Sequence, residues 1–215
     1  MLHSGRLTTR LPAAVRSPRS WLTAMTAVGV IGGGLAISRA THPHWQVHMP
    51  VSRLGVDTGA EGIVTATLLG LGFILLALGV SLDRTFAGLR SARRLGRHAQ
   101  WLLTIGFLVA GLAAALTGLF PIHGSVSTAI HNLAGFTTPI ALMATLVAAR
   151  LSLGSLGRAF DRVSAVILLS VILLFVATSR AHLLPYGLME LICFGLIGAW
   201  LWLFEARLRG LMNDL

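Results

Sequence analysis

The side chains best suited to chemistry in this 215-residue chain are histidines and carboxylates in or beside three short polar segments. In chain order they are His42, His44, His48, Asp57 and Glu61, then His123 and His131, then His182 and Glu190. Imidazole and carboxylate groups bind zinc or copper, and histidine also exchanges protons near neutral pH. Either chemistry requires that the intervening elements bring these segments together.

The composition places those elements in a membrane. Hydrophobic residues make up 55% of the chain, charged residues only 11%, and the mean hydropathy is +0.80. A soluble domain needs more polar surface than this composition supplies. One membrane-spanning helix needs about 20 apolar residues, so the chain has room for six or seven spans and no sizeable soluble domain. We therefore predict an all-α integral membrane protein, a bundle of six transmembrane helices.

Six apolar stretches define the predicted membrane domain, residues 21–204. A basic tail over 1–20 precedes this domain, and a second tail over 205–215 follows it. The predicted spans are 21–38, 62–82, 99–120, 129–149, 163–178 and 188–204. Glycine and alanine recur in these spans, and small residues let helix backbones approach closely in lipid. Pro121 and Pro185 are expected to mark helix ends.

The arginines predict which side of the membrane each connection occupies. The chain contains no lysine, its basic residues are 17 arginines, and its formal charge is +10. All of them except Arg39, Arg53 and Arg180 fall in the two tails or in the second and fourth connections between spans. Short cytoplasmic segments carry such an excess under the positive-inside rule. We predict that both termini are cytoplasmic, that the protein is a multi-pass protein of the cell (plasma) membrane, and that the charge reflects topology, not nucleic-acid binding.

This orientation places every histidine except His3 and His98 on the outer side, and three interpretations of the outer group stay open. As a metal site, the group would bind zinc or copper through His42, His44, His48, Asp57, Glu61, His123 and His131. As an acid–base site, it would act through His131 and Glu190 in surroundings of reduced dielectric. As a structural group, its members would cap helices or meet lipid headgroups. The remaining polar residues on this side include Arg53, His182 and Glu190.

His131 is the strongest single candidate of this group. It is expected about one turn inside the fourth span, where an imidazole needs a partner, and His123 in the preceding turn is the candidate partner. At the start of the second span, Asp57 or Thr58 is expected to cap the helix, with Glu61 in its first turn.

Other kinds of chemistry lack their sequence signatures. The chain has no phosphate-binding glycine loop, no G-x-S-x-G turn and no H-E-x-x-H helix. Cys193 is the single cysteine, which excludes a disulfide within one chain. A haem held between two histidines is a further hypothesis, although the apolar spans lack a second deep histidine. Together these features favour a protein that is not an enzyme.

Four features of the membrane domain carry a resemblance to a known family. They are His48-Met-Pro-Val-Ser-Arg-Leu-Gly55, Gly118-Leu-Phe-Pro121, His131 and Tyr186-Gly-Leu-Met-Glu190. In these features the chain resembles the prokaryotic membrane family known as domain of unknown function 998. The resemblance implies a six-helix fold and supplies no activity. A looser likeness to eukaryotic six-helix proteins of lipid remodelling and autophagy favours a lipid-linked role.

The function predicted from these observations is that of a non-catalytic membrane module associated with membrane lipids or with another membrane protein. One alternative is a small transporter or metal-dependent membrane enzyme that uses the outer histidine and carboxylate group. A second alternative is a haem-binding redox subunit. The first hypothesis requires no cofactor, whereas the metal-dependent alternative requires zinc or copper. Nucleic acid is not an expected partner.

Overall fold

The structure is a computed structural model that describes residues 29–36, 39–40, 49, 51, 61–179 and 182–213, and its regular elements in these ranges are helices. In chain order they are α1 (residues 29–36), α2 (Glu61–Ser91), α3 (Arg97–Leu119), α4 (Gly124–Ser152), α5 (Arg158–Ser179) and α6 (Tyr186–Asn213), with a 3₁₀ turn at Gly154–Leu156. Helices α2 to α6 are each long and apolar enough to cross a membrane. The predicted all-α membrane architecture is confirmed at this level. The first of the six predicted spans is described as a helix only over part of its length.

Prolines set two of the helix boundaries, as the sequence predicts. α3 ends at Leu119, two residues before Pro121. Pro185 directly precedes α6, and its carbonyl oxygen accepts a bond of 3.1 Å from the Met189 N–H, the first turn of that helix. α4 continues through Pro139. An internal proline is tolerated in membrane helices because neighbouring groups satisfy the carbonyl it leaves free.

The helices run beyond the apolar stretches that predicted them. α2 continues past Leu82 to Ser91, and α6 continues past Phe204 to Asn213, through most of the segment expected as a tail. Arginine is a good helix former, and its long side chain can keep its charge in water while its stem follows the helix. The bundle thus has two ends. We call the end formed by the starts of α2, α4 and α6 the histidine end, and the opposite one the arginine end.

Glycines bring α2 and α3 into close contact. A Cβ atom added at Gly72 would lie 2.7 Å from the Gly111 carbonyl oxygen and 2.7 Å from the Ala115 amide nitrogen. A Cβ atom added at Gly111 would lie equally close to the Leu76 amide nitrogen. The backbones therefore meet directly, as in membrane bundles packed through small residues.

An aromatic cluster around Phe204 joins four helices in the interior of the bundle, toward the arginine end. The Phe204 ring is fully buried, and its centroid lies 5.1 to 6.4 Å from the rings of Phe86, Phe107, Phe160 and Trp200. The Trp200 indole N–H donates to the Ser164 hydroxyl over 3.1 Å, so the polar edge of this cluster is satisfied. Large apolar residues of α5 such as Val166 and Leu169 are exposed, which leaves that helix facing lipid.

Candidate functional site

The structure describes half of the side chains that the sequence singled out. Those inside the described ranges are Glu61, His123, His131, His182 and Glu190. Those outside the described residues are His42, His44, His48, Arg53 and Asp57, together with the predicted capping residue Thr58. The metal hypothesis as a whole therefore stays a prediction, and only its described members have a geometry.

Glu61 and His123 meet across the histidine end. Glu61 is the first residue of α2, where a carboxylate interacts favourably with the helix dipole. Its Oε1 atom lies 3.5 Å from Nε2 of His123, in the turn between α3 and α4. Both side chains are about half exposed, at 45% and 49%, and an ion pair of this kind stabilises a protein only weakly. The contact links α2 to the turn that starts α4.

His131 has a backbone partner, which differs from the predicted pairing with His123. It lies seven residues into α4, its exposure is only 6%, and its Nδ1 is 2.9 Å from the carbonyl oxygen of Phe120. A carbonyl oxygen only accepts, so Nδ1 carries the proton. Phe120 follows the last residue of α3, where a carbonyl has no partner within the helix. His131 thus caps the end of α3 from the side of α4.

Glu190 holds the polypeptide segment that precedes α2. Its Oε2 atom accepts a hydrogen bond from the backbone N–H of Val51. The Val51 side chain is buried and packs against Leu35, Val64 and Leu191, from α1, α2 and α6 respectively. Glu190 therefore fixes a connection between spans to the first turns of α6.

These contacts do not converge on one point. His182 is exposed at the start of the last connection and has a positive φ of 51°. Among the described residues, no three His, Cys, Asp or Glu side chains lie together as a metal-binding group. The histidine end is arranged as separate pairs, each of which joins two parts of the bundle.

A polar group that the sequence analysis did not select lies at the arginine end. Oδ1 of Asp83 in α2 accepts two hydrogen bonds from α3, each of 2.9 Å, from Gln100 Nε2 and Thr104 Oγ1. Gln100 is 7% exposed, and its Oε1 atom is buried without a hydrogen-bond partner among the described residues. The sequence feature that indicates this group is a carboxylate, Asp83, at the end of one apolar span and an amide, Gln100, near the start of the next.

This polar group forms the wall of an open cleft between α2 and α3. The cleft has a volume of about 670 Å³ and is lined by Asp83, Arg90, Arg97, Gln100, Trp101 and Thr104. Arg90 and Arg97 are exposed near the end of α2 and at the start of α3. Trp101 is 57% exposed, and the next residue, Leu102, is also exposed. The cleft combines cations, hydrogen-bond acceptors and an apolar edge, and guanidinium groups of this kind bind carboxylate or phosphate oxygens.

Two further ion pairs brace the same end. Arg150 Nε donates to Asp161 Oδ1 over 2.8 Å and joins the end of α4 to the start of α5. Glu205 in α6 is 2% exposed, and its Oε2 atom lies 3.9 Å from Arg209 one turn later. The sequence prediction placed Glu205 in a tail, whereas it is a buried residue of α6, next in sequence to Phe204. The first pair joins two helices, whereas the second lies within α6.

A helical fold with several apolar helices of membrane length defines a multi-pass membrane protein. Residues 24–206 match the family described as a protein of unknown function, DUF998, and the chain belongs to that family. The resemblance seen in the sequence is thereby confirmed. No curated protein and no solved structure matches the chain.

Proposed function

We propose that this protein is a non-catalytic, six-span module of the plasma membrane that associates with membrane lipid or with a partner membrane protein. The observation that carries this proposal is the pairing at the histidine end. His131 binds the Phe120 carbonyl, Glu190 binds the Val51 N–H, and Glu61 lies beside His123. Each of these groups joins two parts of the bundle, which supports a structural role for the side chains most suited to chemistry.

The proposed orientation, with both termini cytoplasmic, is supported by where the arginines lie along the helices. Every described arginine from residue 61 onward belongs to the arginine end: Arg84, Arg90, Arg93, Arg94, Arg97, Arg150, Arg158, Arg162, Arg207 and Arg209. The positive-inside rule assigns such an end to the cytoplasm. The anionic lipids of the cytoplasmic leaflet attract basic residues at this level by about 1 kcal/mol each. The arginine end is therefore the proposed lipid-associated end.

Analysis of the purified full chain tests this proposal. We expect lipid extracted from the purified protein to be enriched in anionic phospholipid relative to the membrane from which it came, or a partner membrane protein to copurify in a fixed ratio. Elemental analysis provides the opposing measurement. Zinc or copper at one ion per chain, lost when His131 or His123 is replaced by alanine, would show that the metal-dependent alternative is correct. A Soret absorption band would favour the haem-binding alternative.

A further inference from the structure

The cleft between α2 and α3 has a more specific chemistry than attraction to anionic lipid. We propose that it binds a phosphate ester with a free hydroxyl close to the phosphate, the headgroup chemistry of a lysophospholipid. This inference rests on the proposed lipid association and names the class of lipid. It follows from the two parts of the cleft, because the arginines of one part bind an anion and the acceptor of the other part binds a hydrogen-bond donor.

The mouth of the cleft is built for the anion. Arg90 and Arg97 line it, and guanidinium groups bind phosphate oxygens through paired hydrogen bonds. Arg97 is also the first residue of α3, a 23-residue helix whose N-cap, Gly96, provides no side-chain cap and whose first turn carries no acidic residue. The first-turn N–H groups of a helix have no partner within the helix, so the start of α3 adds the positive end of a helix dipole at the arginine end.

The inner wall of the cleft is built for a donor. The donors of Gln100 and Thr104 that reach this wall are already used, because Gln100 Nε2 and Thr104 Oγ1 both bind Asp83 Oδ1. The Asp83 carboxylate only accepts hydrogen bonds, so the Gln100 amide presents its nitrogen to Asp83 and its oxygen faces away from Asp83. That oxygen is buried without a partner among the described residues. A ligand hydroxyl that displaces the side chains covering this oxygen would supply the hydrogen bond that the oxygen lacks.

The order of the two halves along the helices selects the ligand. Asp83 and Arg90 are seven residues apart, hence on the same face of α2 and about 10 Å apart along its axis. α3 runs in the opposite direction, so Arg97 lies at the mouth and Thr104 lies deeper. A phosphate at the mouth therefore places the glycerol of a lipid beside Asp83 and Gln100.

At that depth a diacyl lipid has only ester oxygens. These accept hydrogen bonds and cannot donate one to Gln100 Oε1 or to the Asp83 carboxylate. A lysophospholipid offers a free glycerol hydroxyl, which can donate to Gln100 Oε1. Its single acyl chain would lie along the exposed side chain of Trp101, which lines the cleft, and continue past its exposed neighbour Leu102. A soluble glycerol phosphate has the same hydroxyl and phosphate but no acyl chain to occupy this edge.

The test uses the full chain in nanodiscs of phosphatidylcholine and measures binding of four probes. They are oleoyl lysophosphatidic acid, dioleoyl phosphatidic acid, glycerol 3-phosphate and inorganic phosphate. We expect the lysolipid to bind at least about tenfold more tightly than the diacyl lipid, because only the lysolipid satisfies the buried acceptor. Glycerol 3-phosphate binding as tightly as the lysolipid would support the same site with a soluble ligand. Equal binding of the two lipids, or of inorganic phosphate and the lysolipid, would overturn the proposal.

Variants separate the two halves of the cleft. Gln100→Leu should abolish the preference for the lysolipid while the diacyl lipid still binds. Arg97→Gln should weaken both lipids about tenfold and keep the preference. Arg84→Gln is the matched control, since it removes the same charge from an exposed position of α2 outside the cleft, and it should weaken binding less than Arg97→Gln does.

The outcomes also distinguish this inference from the proposed function on which it rests. Binding of both lipids without preference would leave lipid association standing and refute the hydroxyl-phosphate site. Binding of neither lipid would refute both. If Gln100→Leu does not yield folded protein, the ratio of lysolipid to diacyl-lipid affinity in the unaltered chain and in Arg97→Gln still tests whether the cleft prefers the lysolipid.

Discussion

At the scale of single residues, His131 illustrates how a buried polar side chain in a membrane protein can be structural. Its imidazole reaches from α4 to the Phe120 carbonyl at the end of α3, a group with no partner within its own helix. Within a membrane, water does not replace a lost hydrogen-bond partner. The bond therefore stabilises the fold because breaking it leaves a polar group without a partner. We therefore expect substitution of His131 to affect the stability of the folded protein.

Replacing His131 with alanine should lower the stability of the folded protein by about 1–3 kcal/mol, because it leaves the Phe120 carbonyl buried without a donor. The measurement is the apparent melting temperature of the full chain in detergent, followed by gel filtration. His182→Ala is the matched control, since His182 is exposed at the same end, and it should not change the melting temperature. An unchanged melting temperature in His131→Ala would contradict the structural role.

At the scale of helices, the contact between α2 and α3 fixes the register that builds the cleft. Gly72 and Gly111 let the two backbones meet near the middle of the bundle, and this contact determines which residues face each other further along. Asp83 lies three turns beyond Gly72, and it meets Gln100 and Thr104 of the opposite helix. The small residues and the polar group are thus parts of one interface.

Gly72→Ala should separate α2 from α3, because its new Cβ would meet backbone atoms of Gly111 and Ala115 that no side-chain rotation can move. Overpacking of this kind costs about 1–3 kcal/mol, and the lysolipid preference should fall with it because the cleft wall shifts. Thermal unfolding and lipid binding of the full chain are the two measurements. Gly195→Ala is the control, because its Cβ would meet nothing within 4 Å. Equal effects of the two substitutions would refute close packing at Gly72.

The sequence predicts the helices better than it predicts their contacts. Length, hydropathy and the two prolines suffice to locate five long helices, although α2 and α6 continue well beyond their predicted ends, to Ser91 and Asn213. The sequence offered His123 as a candidate partner of His131, whereas the bond in the structure goes to the Phe120 carbonyl, because α4 begins at Gly124 and carries His131 two turns away from the helix start. The Asp83 group was missed because its partners belong to another helix. Pairing between helices depends on their relative register, which hydropathy along one segment does not contain.

At the scale of the whole molecule, the two ends differ in chemistry as well as in charge. The described polar groups of the histidine end form pairs between elements, whereas cations and hydrogen-bond acceptors line an open cleft at the arginine end. The aromatic cluster around Phe204 lies toward the arginine end of α6 and holds α2, α3, α5 and α6 together.

The orientation of these ends follows from the arginines and is testable in the full chain with two engineered cysteines. Cys193 is buried and is the single cysteine, so Cys193→Ala gives a background without thiols. Ser125→Cys, exposed at the histidine end, should react with a membrane-impermeant maleimide in intact cells. Ser91→Cys, exposed at the arginine end, should react only after permeabilisation, because the positive-inside rule places that end in the cytoplasm. The reverse pattern would put the cleft on the outer face and would exclude a ligand drawn from the cytoplasmic leaflet.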